Sequence, residues 1–170
     1  MPIPRARRPE EAATLRWRRA AMRDPLTGAF NRRWLAARGR PRKDVVVILL
    51  DLDGLRRVND RRGYAAGDRC LISVARAIRT ALGPSRPLVR LGGDEFLVPW
   101  TGSVSEARLV AAAAVAAAGA RRTPVRVSAG VATVRPGAAP RGWTTLVEAA
   151  HRALRRAKSA GGGQVRWSWA

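Results

Sequence analysis

The chain has 170 residues, enough to bury one hydrophobic core and too few for two full-sized domains. Its formal charge of +21 points to anionic partners such as nucleotides. Nearly all the bases are arginine and alanine is abundant, a bias that a GC-rich coding preference also produces, so no dedicated nucleic-acid role is expected.

Residues 1–9 are basic and proline-rich. Residues 10–23 read as a helix, with acids at its start, arginines near its end and Ala13, Trp17, Ala20 and Ala21 along one side. It packs on the domain or on a partner copy. These residues, 1–23, form an N-terminal segment ahead of one folded domain, 24–170. Pro25 ends the first helix, and Asp24-Pro-Leu-Thr-Gly-Ala-Phe-Asn-Arg-Arg33 opens a second that runs to Arg38. After a loop, residues 44–50 form a strand whose unbroken apolar character argues for burial on both faces, and it runs into Asp51 and Asp53. Residues 54–61 form a short helix and residues 62–68 a connection with two glycines. The next helix, residues 66–81, carries Leu71, Val74, Ala75 and Ile78 at core spacing, with Cys70 on its inner face. Gly83-Pro84 stops it.

Residues 87–91 and 95–100 are strands flanking Gly92-Gly93-Asp94-Glu95. This is a hairpin in which the glycines supply the positive φ of a tight turn and two carboxylates are presented outward. Residues 103–118 form a helix. Residues 124–135 form a strand with alternating Val125, Val127, Ala129 and Val131. Residues 143–160 form a helix with Leu146, Ala150, Ala153, Leu154 and Ala157 inward, and residues 164–169 a last strand. The order is βαββαβ with additions at both ends. It predicts an α+β, ferredoxin-like or palm-like domain with a central antiparallel sheet flanked by helices and an extra N-terminal helix. The lone cysteine excludes a disulfide framework, no run reaches the length of a membrane span, and Met1-Pro-Ile-Pro-Arg5 lacks the apolar core of a signal peptide. A soluble, cytoplasmic protein is therefore expected.

Of the twelve acids, six fall between Asp51 and Glu95, a concentration that marks a site in so basic a chain. Carboxylates from a central strand and from an adjacent hairpin suit a hard divalent cation, and magnesium is usually held by one or two carboxylates plus phosphates. Asp51 and Asp94 are the candidates, with the carbonyl of Leu52 as a further oxygen. Glu95 assists the metal or accepts a proton from an attacking hydroxyl. Asp53 touches metal or caps the short helix, and Asp68 binds a ligand or caps the next one. Asp60 reads as structural, and the lone His151 as exposed on the last helix and not a ligand.

The sequence resembles the GGDEF domain, the diguanylate cyclase family. The signature stands intact as Gly92-Gly93-Asp94-Glu95-Phe96, preceded by Arg90. Four further blocks match in order: the stretch from Asp24 to Arg33, Asp51-Leu-Asp-Gly-Leu-Arg-Arg-Val-Asn-Asp60, Gly63-Tyr-Ala-Ala-Gly-Asp68, and Ala153-Leu-Arg-Arg-Ala-Lys158. The resemblance implies condensation of two GTP into cyclic di-GMP with release of pyrophosphate, each copy of a dimer holding one GTP. It implies two Mg2+ or Mn2+ ions per GTP held by Asp51, the Leu52 carbonyl, Asp94 and Glu95, with Glu95 catalytic. Asn59 and Asp68 match the guanine-reading positions and Lys158 a phosphate-binding lysine. Gly92 and Gly93 let the turn approach the nucleotide. Arg56 stands where the family often has a phosphate-binding lysine, and Tyr64 replaces a common histidine at an auxiliary substrate contact.

Two departures stand out. Gly161-Gly162-Gly163 replaces the usual Gly-Arg-Asn, so a phosphate-contacting arginine is missing, with Arg152 and Arg166 as candidates to compensate. Gly83-Pro-Ser-Arg86 replaces the family's inhibitory Arg-x-x-Asp, so feedback inhibition there is not expected. The alternatives are a catalytically silent GGDEF-like module that binds GTP, and a basic nucleic-acid-binding protein on a palm scaffold.

Overall fold

A computed structural model describes residues 17, 20–120, 124–135, 137, 138 and 141–170. Among the described residues from Phe30 on, six strands and five helices follow in chain order: β1 (Phe30–Asn31), α1 (Arg32–Ala36), β2 (Val45–Asp53), α2 (Leu55–Arg62), α3 (Tyr64–Leu82), β3 (Val89–Gly92), β4 (Glu95–Thr101), α4 (Val104–Gly119), β5 (Arg126–Thr133), α5 (Trp143–Ser159) and β6 (Val165–Trp169). The sheet order is β1-β3-β4-β2-β5-β6. Its middle four strands, β3-β4-β2-β5, are antiparallel neighbours, which is the expected palm-like α+β core. The two edges add parallel pairs, β1 with β3 and β5 with β6. The second follows from topology, because α5 carries the chain back across the sheet before β6 begins. Among the described residues no helix is long and apolar enough to cross a membrane.

The period-two geometry of β2 decides where the site lies. Val46, Ile48, Leu50 and Leu52 face one core with α2, α3 and α4, whereas Val45, Val47 and Leu49 face a second core with α1 and α5. Asp51 continues the second set, so its carboxylate emerges on the α5 side. On β4, Phe96, Val98 and Trp100 belong to the first core and Leu97 to the second, which puts Glu95 on the α5 side as well. On β5 the position facing α5 is Gly130. A Cβ there would lie 2.1 Å from the Ala150 carbonyl oxygen and 2.6 Å from the Leu154 nitrogen, so bare backbone lets α5 rest directly on the sheet.

Several boundaries differ from the sequence reading. The helix expected at residues 10–23 lies mostly outside the described residues, of which Trp17, Ala20 and Ala21 are helical. The second expected helix shortens to α1, because the Asn31 side chain accepts from the Trp34 N–H and fixes the start at Arg32, leaving Phe30 and Asn31 to pair with β3. Helix α3 starts at Tyr64, straight after Gly63 with its φ of 76°. Asp68 therefore sits inside α3, exposed, and caps nothing.

Candidate active site

Asp51 and Glu95 are direct cross-strand partners on β2 and β4. Asp51 is buried, its side chain 9% exposed, and its Oδ1 accepts from Lys158 Nζ on α5 at 2.5 Å. Burial pushes the Asp51 carboxyl up to about 6, and the charges of Asp94 and Glu95 add to that push against the opposing Lys158 pair. The two segments singled out in the sequence thus come within electrostatic reach of each other. Uncompensated negative charge on hard oxygens fits a divalent cation. The Leu52 side chain is buried in the other core, and its backbone lies between Asp51 and Asp53 on the same strand.

The turn bearing Asp94 is held from behind. Arg90 donates to the Gly93 carbonyl through Nε at 3.0 Å and Nη2 at 2.6 Å, and through Nη1 to both Asp24 oxygens at 3.1 and 3.2 Å. Asp24 in turn accepts from the Thr27 N–H at 2.8 Å and hydroxyl at 2.5 Å. Burial acts to raise the Asp24 carboxyl, and the Thr27 and Arg90 hydrogen bonds outweigh it and hold the carboxyl below its usual value. Gly93, at a φ of 51°, makes this geometry available. Arg90→Ala is expected to raise amide exchange at Gly93 and Asp94 about tenfold, because charge-assisted bonds of this kind are worth more than a factor of ten in local opening. Native-state hydrogen exchange measures it.

Asp53 corrects an expectation. Its Oδ2 accepts from Ser128 Oγ at 2.7 Å and from the Gly163 N–H at 2.9 Å, while α2 is preceded by Gly54 with no side-chain cap. A Cβ at Gly162 would lie 2.8 Å from that same oxygen. The glycine run that departs from the family sequence therefore lets the chain close over Asp53. Beside it, Arg126 pairs in register with Asp53 and donates to the Gly161 carbonyl at 2.8 Å, a contact the sequence reading missed. Arg152 and Arg166 donate to the carbonyls of Trp169 and Val165 on β6.

His151 corrects a second expectation. It is half-buried, and its Nδ1 stands 3.5 Å from Glu95 Oε1. The signal was available, since residues 151 and 158 are two helical turns apart and share a face. The positions matching guanine readers lie on α2 and α3. Asn59 Oδ1 is buried with no hydrogen-bond partner and faces Gly67, where a Cβ would come within 1.9 Å of it. Asp68 is the next residue and its side chain reaches solvent. Tyr64 is exposed, and Arg56 is exposed beside Asp60 at 4.0 Å, a contact worth little in water. A groove of about 930 Å³ lies at the opposite end of β2 and β4, beside Val45 and Thr101. The carboxylates sit instead on the ledge at the other end of those strands, where Asp51 is buried and Asp94 and Glu95 are half-buried.

One family profile, described as "Diguanylate cyclase, GGDEF domain", matches residues 21–164. The chain belongs to the GGDEF domain family. This GGDEF domain is 34% identical over 160 residues to diguanylate cyclase DgcP of Pseudomonas aeruginosa, an alignment covering 85% of this chain and 23% of that one. Its fold matches the crystal structure of diguanylate cyclase SiaD in complex with its activator SiaC, from the same species. The TM-score is 0.79 at 29% identity, over 94% of this chain and 66% of SiaD. It also matches the coiled coil and GGDEF domain of DgcB from Caulobacter crescentus in complex with c-di-GMP, with a TM-score of 0.79 over 94% of this chain and 92% of that one; at 23% identity this likeness speaks for the fold. The chain spans less than half the length of the curated relatives it matches.

Proposed function

We propose that this GGDEF domain, residues 24–170, is a cytoplasmic diguanylate cyclase that joins two GTP into cyclic di-GMP across a dimer of half-sites. The observation that carries the reading is the buried Asp51 carboxyl facing Glu95 across the ladder, under the field of Asp94 and beside the Lys158 ammonium. Asp51, Asp94, Glu95 and the Leu52 carbonyl would hold magnesium or manganese, which when bound polarises the α-phosphate and stabilises the leaving pyrophosphate. The chain's own groups do the rest. Lys158 places a compact positive charge where phosphate oxygens lie. Glu95 accepts the proton of the 3′-hydroxyl as the new O–P bond forms and the α–β phosphoanhydride breaks. Each half-site supplies one GTP, so both bonds need a second copy. Gly92 and Gly93 let the turn come close to the triphosphate. Asn59 Oδ1, left without a partner in the fold, and Asp68 beside it offer acceptors to the N1–H and N2–H edge of guanine, which adenine cannot match. Arg56 and Tyr64, both exposed, would add contacts to the nucleotide.

Incubation with GTP and magnesium, with the nucleotides identified by mass, tests the reading. Cyclic di-GMP and pyrophosphate are expected from GTP, none from ATP, and none from Glu95→Gln. GTP bound without product would leave the silent GTP-binding module. Salt-sensitive binding to random DNA with no GTP turnover would favour the nucleic-acid reading.

A further inference from the structure

Two carboxylates on neighbouring strands face two basic groups on one helix. Lys158 meets Asp51, and His151, two turns earlier on α5, meets Glu95. Among the described residues His151 is the only basic side chain in ion-pair contact with the Glu95 carboxylate. Glu95 has three rotatable bonds and only part of its side chain is buried, so nothing in the strand alone fixes where its carboxylate points. The imidazole is rigid and its Cβ is anchored on a helix that rests on Gly130. The two groups stand 3.5 Å apart, within ion-pair range.

We propose that His151 is a positioning residue that holds the Glu95 carboxylate toward α5, so that its other oxygen faces the ledge between Asp51 and Asp94. The inference rests on the cyclase reading for its consequence in turnover, and on the fold alone for the contact. His151 touches neither substrate nor reacting atoms; it acts through Glu95.

His151 is the chain's only histidine, so long-range proton–nitrogen spectra show one imidazole. At about pH 8.5, where an ordinary imidazole is neutral, the proton is expected on Nδ1, the nitrogen nearer Glu95. In Glu95→Ala it should return to the usual excess on Nε2. In GTP turnover, His151→Phe is expected to lower kcat about tenfold or more with KM for GTP nearly unchanged. His151→Asn, whose amide N–H falls near the Nδ1 position, should recover most of that loss. An identical tautomer in the parent and in Glu95→Ala would overturn the contact. A parent-like kcat in His151→Phe, or an Asn variant as slow as the Phe variant, would overturn its role. A parent that makes no cyclic di-GMP would contradict the cyclase reading, while the spectra still decide whether Glu95 and His151 are paired.

Discussion

Asp51→Asn is expected to make cyclic di-GMP far more slowly than the parent chain and yet to melt at a higher temperature at pH 7.5. The sign follows from the Asp51 carboxyl, whose pKa rises from 3.8 to about 6, chiefly through burial and then through Asp94 and Glu95, against the Lys158 pair. The folded state then holds this proton more tightly than the unfolded state. Stability is unaffected by the group below the unfolded value, falls as pH rises between the two values, and carries the full cost above the folded one. That cost is on the order of 3 kcal/mol, the rise being about two units at about 1.4 each. Asparagine keeps the shape and removes the ionisation, so the metal-free variant should gain about 9 °C in Tm at pH 7.5. The gain should vanish toward pH 4, where the parent is itself protonated. The same change removes an oxygen from the candidate cation site and should cost about a hundredfold or more in rate. Melting curves at the two pH values, with initial rates, check both halves. Equal Tm differences at both would show that Asp51 is not ionised at a cost.

Gly130→Ala is expected to damage stability and turnover together, from a position that touches no reacting group. The added Cβ would meet two backbone atoms of α5, the Ala150 carbonyl oxygen at 2.1 Å and the Leu154 nitrogen at 2.6 Å. Backbone cannot rotate aside as a flexible side chain can, so the helix must lift. Overpacking of this kind costs about 1–3 kcal/mol, and the upper end applies where neither neighbour can yield. Helix α5 carries both His151 and Lys158, so displacement by a fraction of an ångström loosens both of their contacts with the carboxylates. A fall of about tenfold in kcat is expected alongside a lower denaturant midpoint. Gly119→Ala provides the comparison. It ends α4 with open space around its Cα, and alanine there should leave stability unchanged or slightly higher.

The sequence announced most strongly the parts whose signal is local. The run from Val45 to Leu50 had to be a buried central strand, and the two glycines before Asp94 had to make a turn. Together they placed two carboxylate-bearing segments side by side, and the ladder pairing Asp51 with Glu95 bears out that proximity. Asp53 was illegible because its partners, Ser128 and Gly163, come from strands and turns far away in sequence, where no periodicity points. His151 was passed over for a different reason. Read as a lone titratable group it suggested solvent, although its two-turn offset from Lys158 already placed both on the same stripe of α5. The short β1 was missed, and the second helix was begun too early, because the capping bond from Asn31 outweighs the helical propensity around it.

Paramagnetic resonance of manganese, with a non-hydrolysable GTP analogue present, tests most directly whether Asp51 and Asp94 hold a cation where a triphosphate lies. The parent chain should bind manganese tightly only when the analogue is added, and Asp51→Asn and Asp94→Asn should each lose most of that nucleotide-dependent binding while still folding. Equal manganese binding by the parent and by both variants would contradict it.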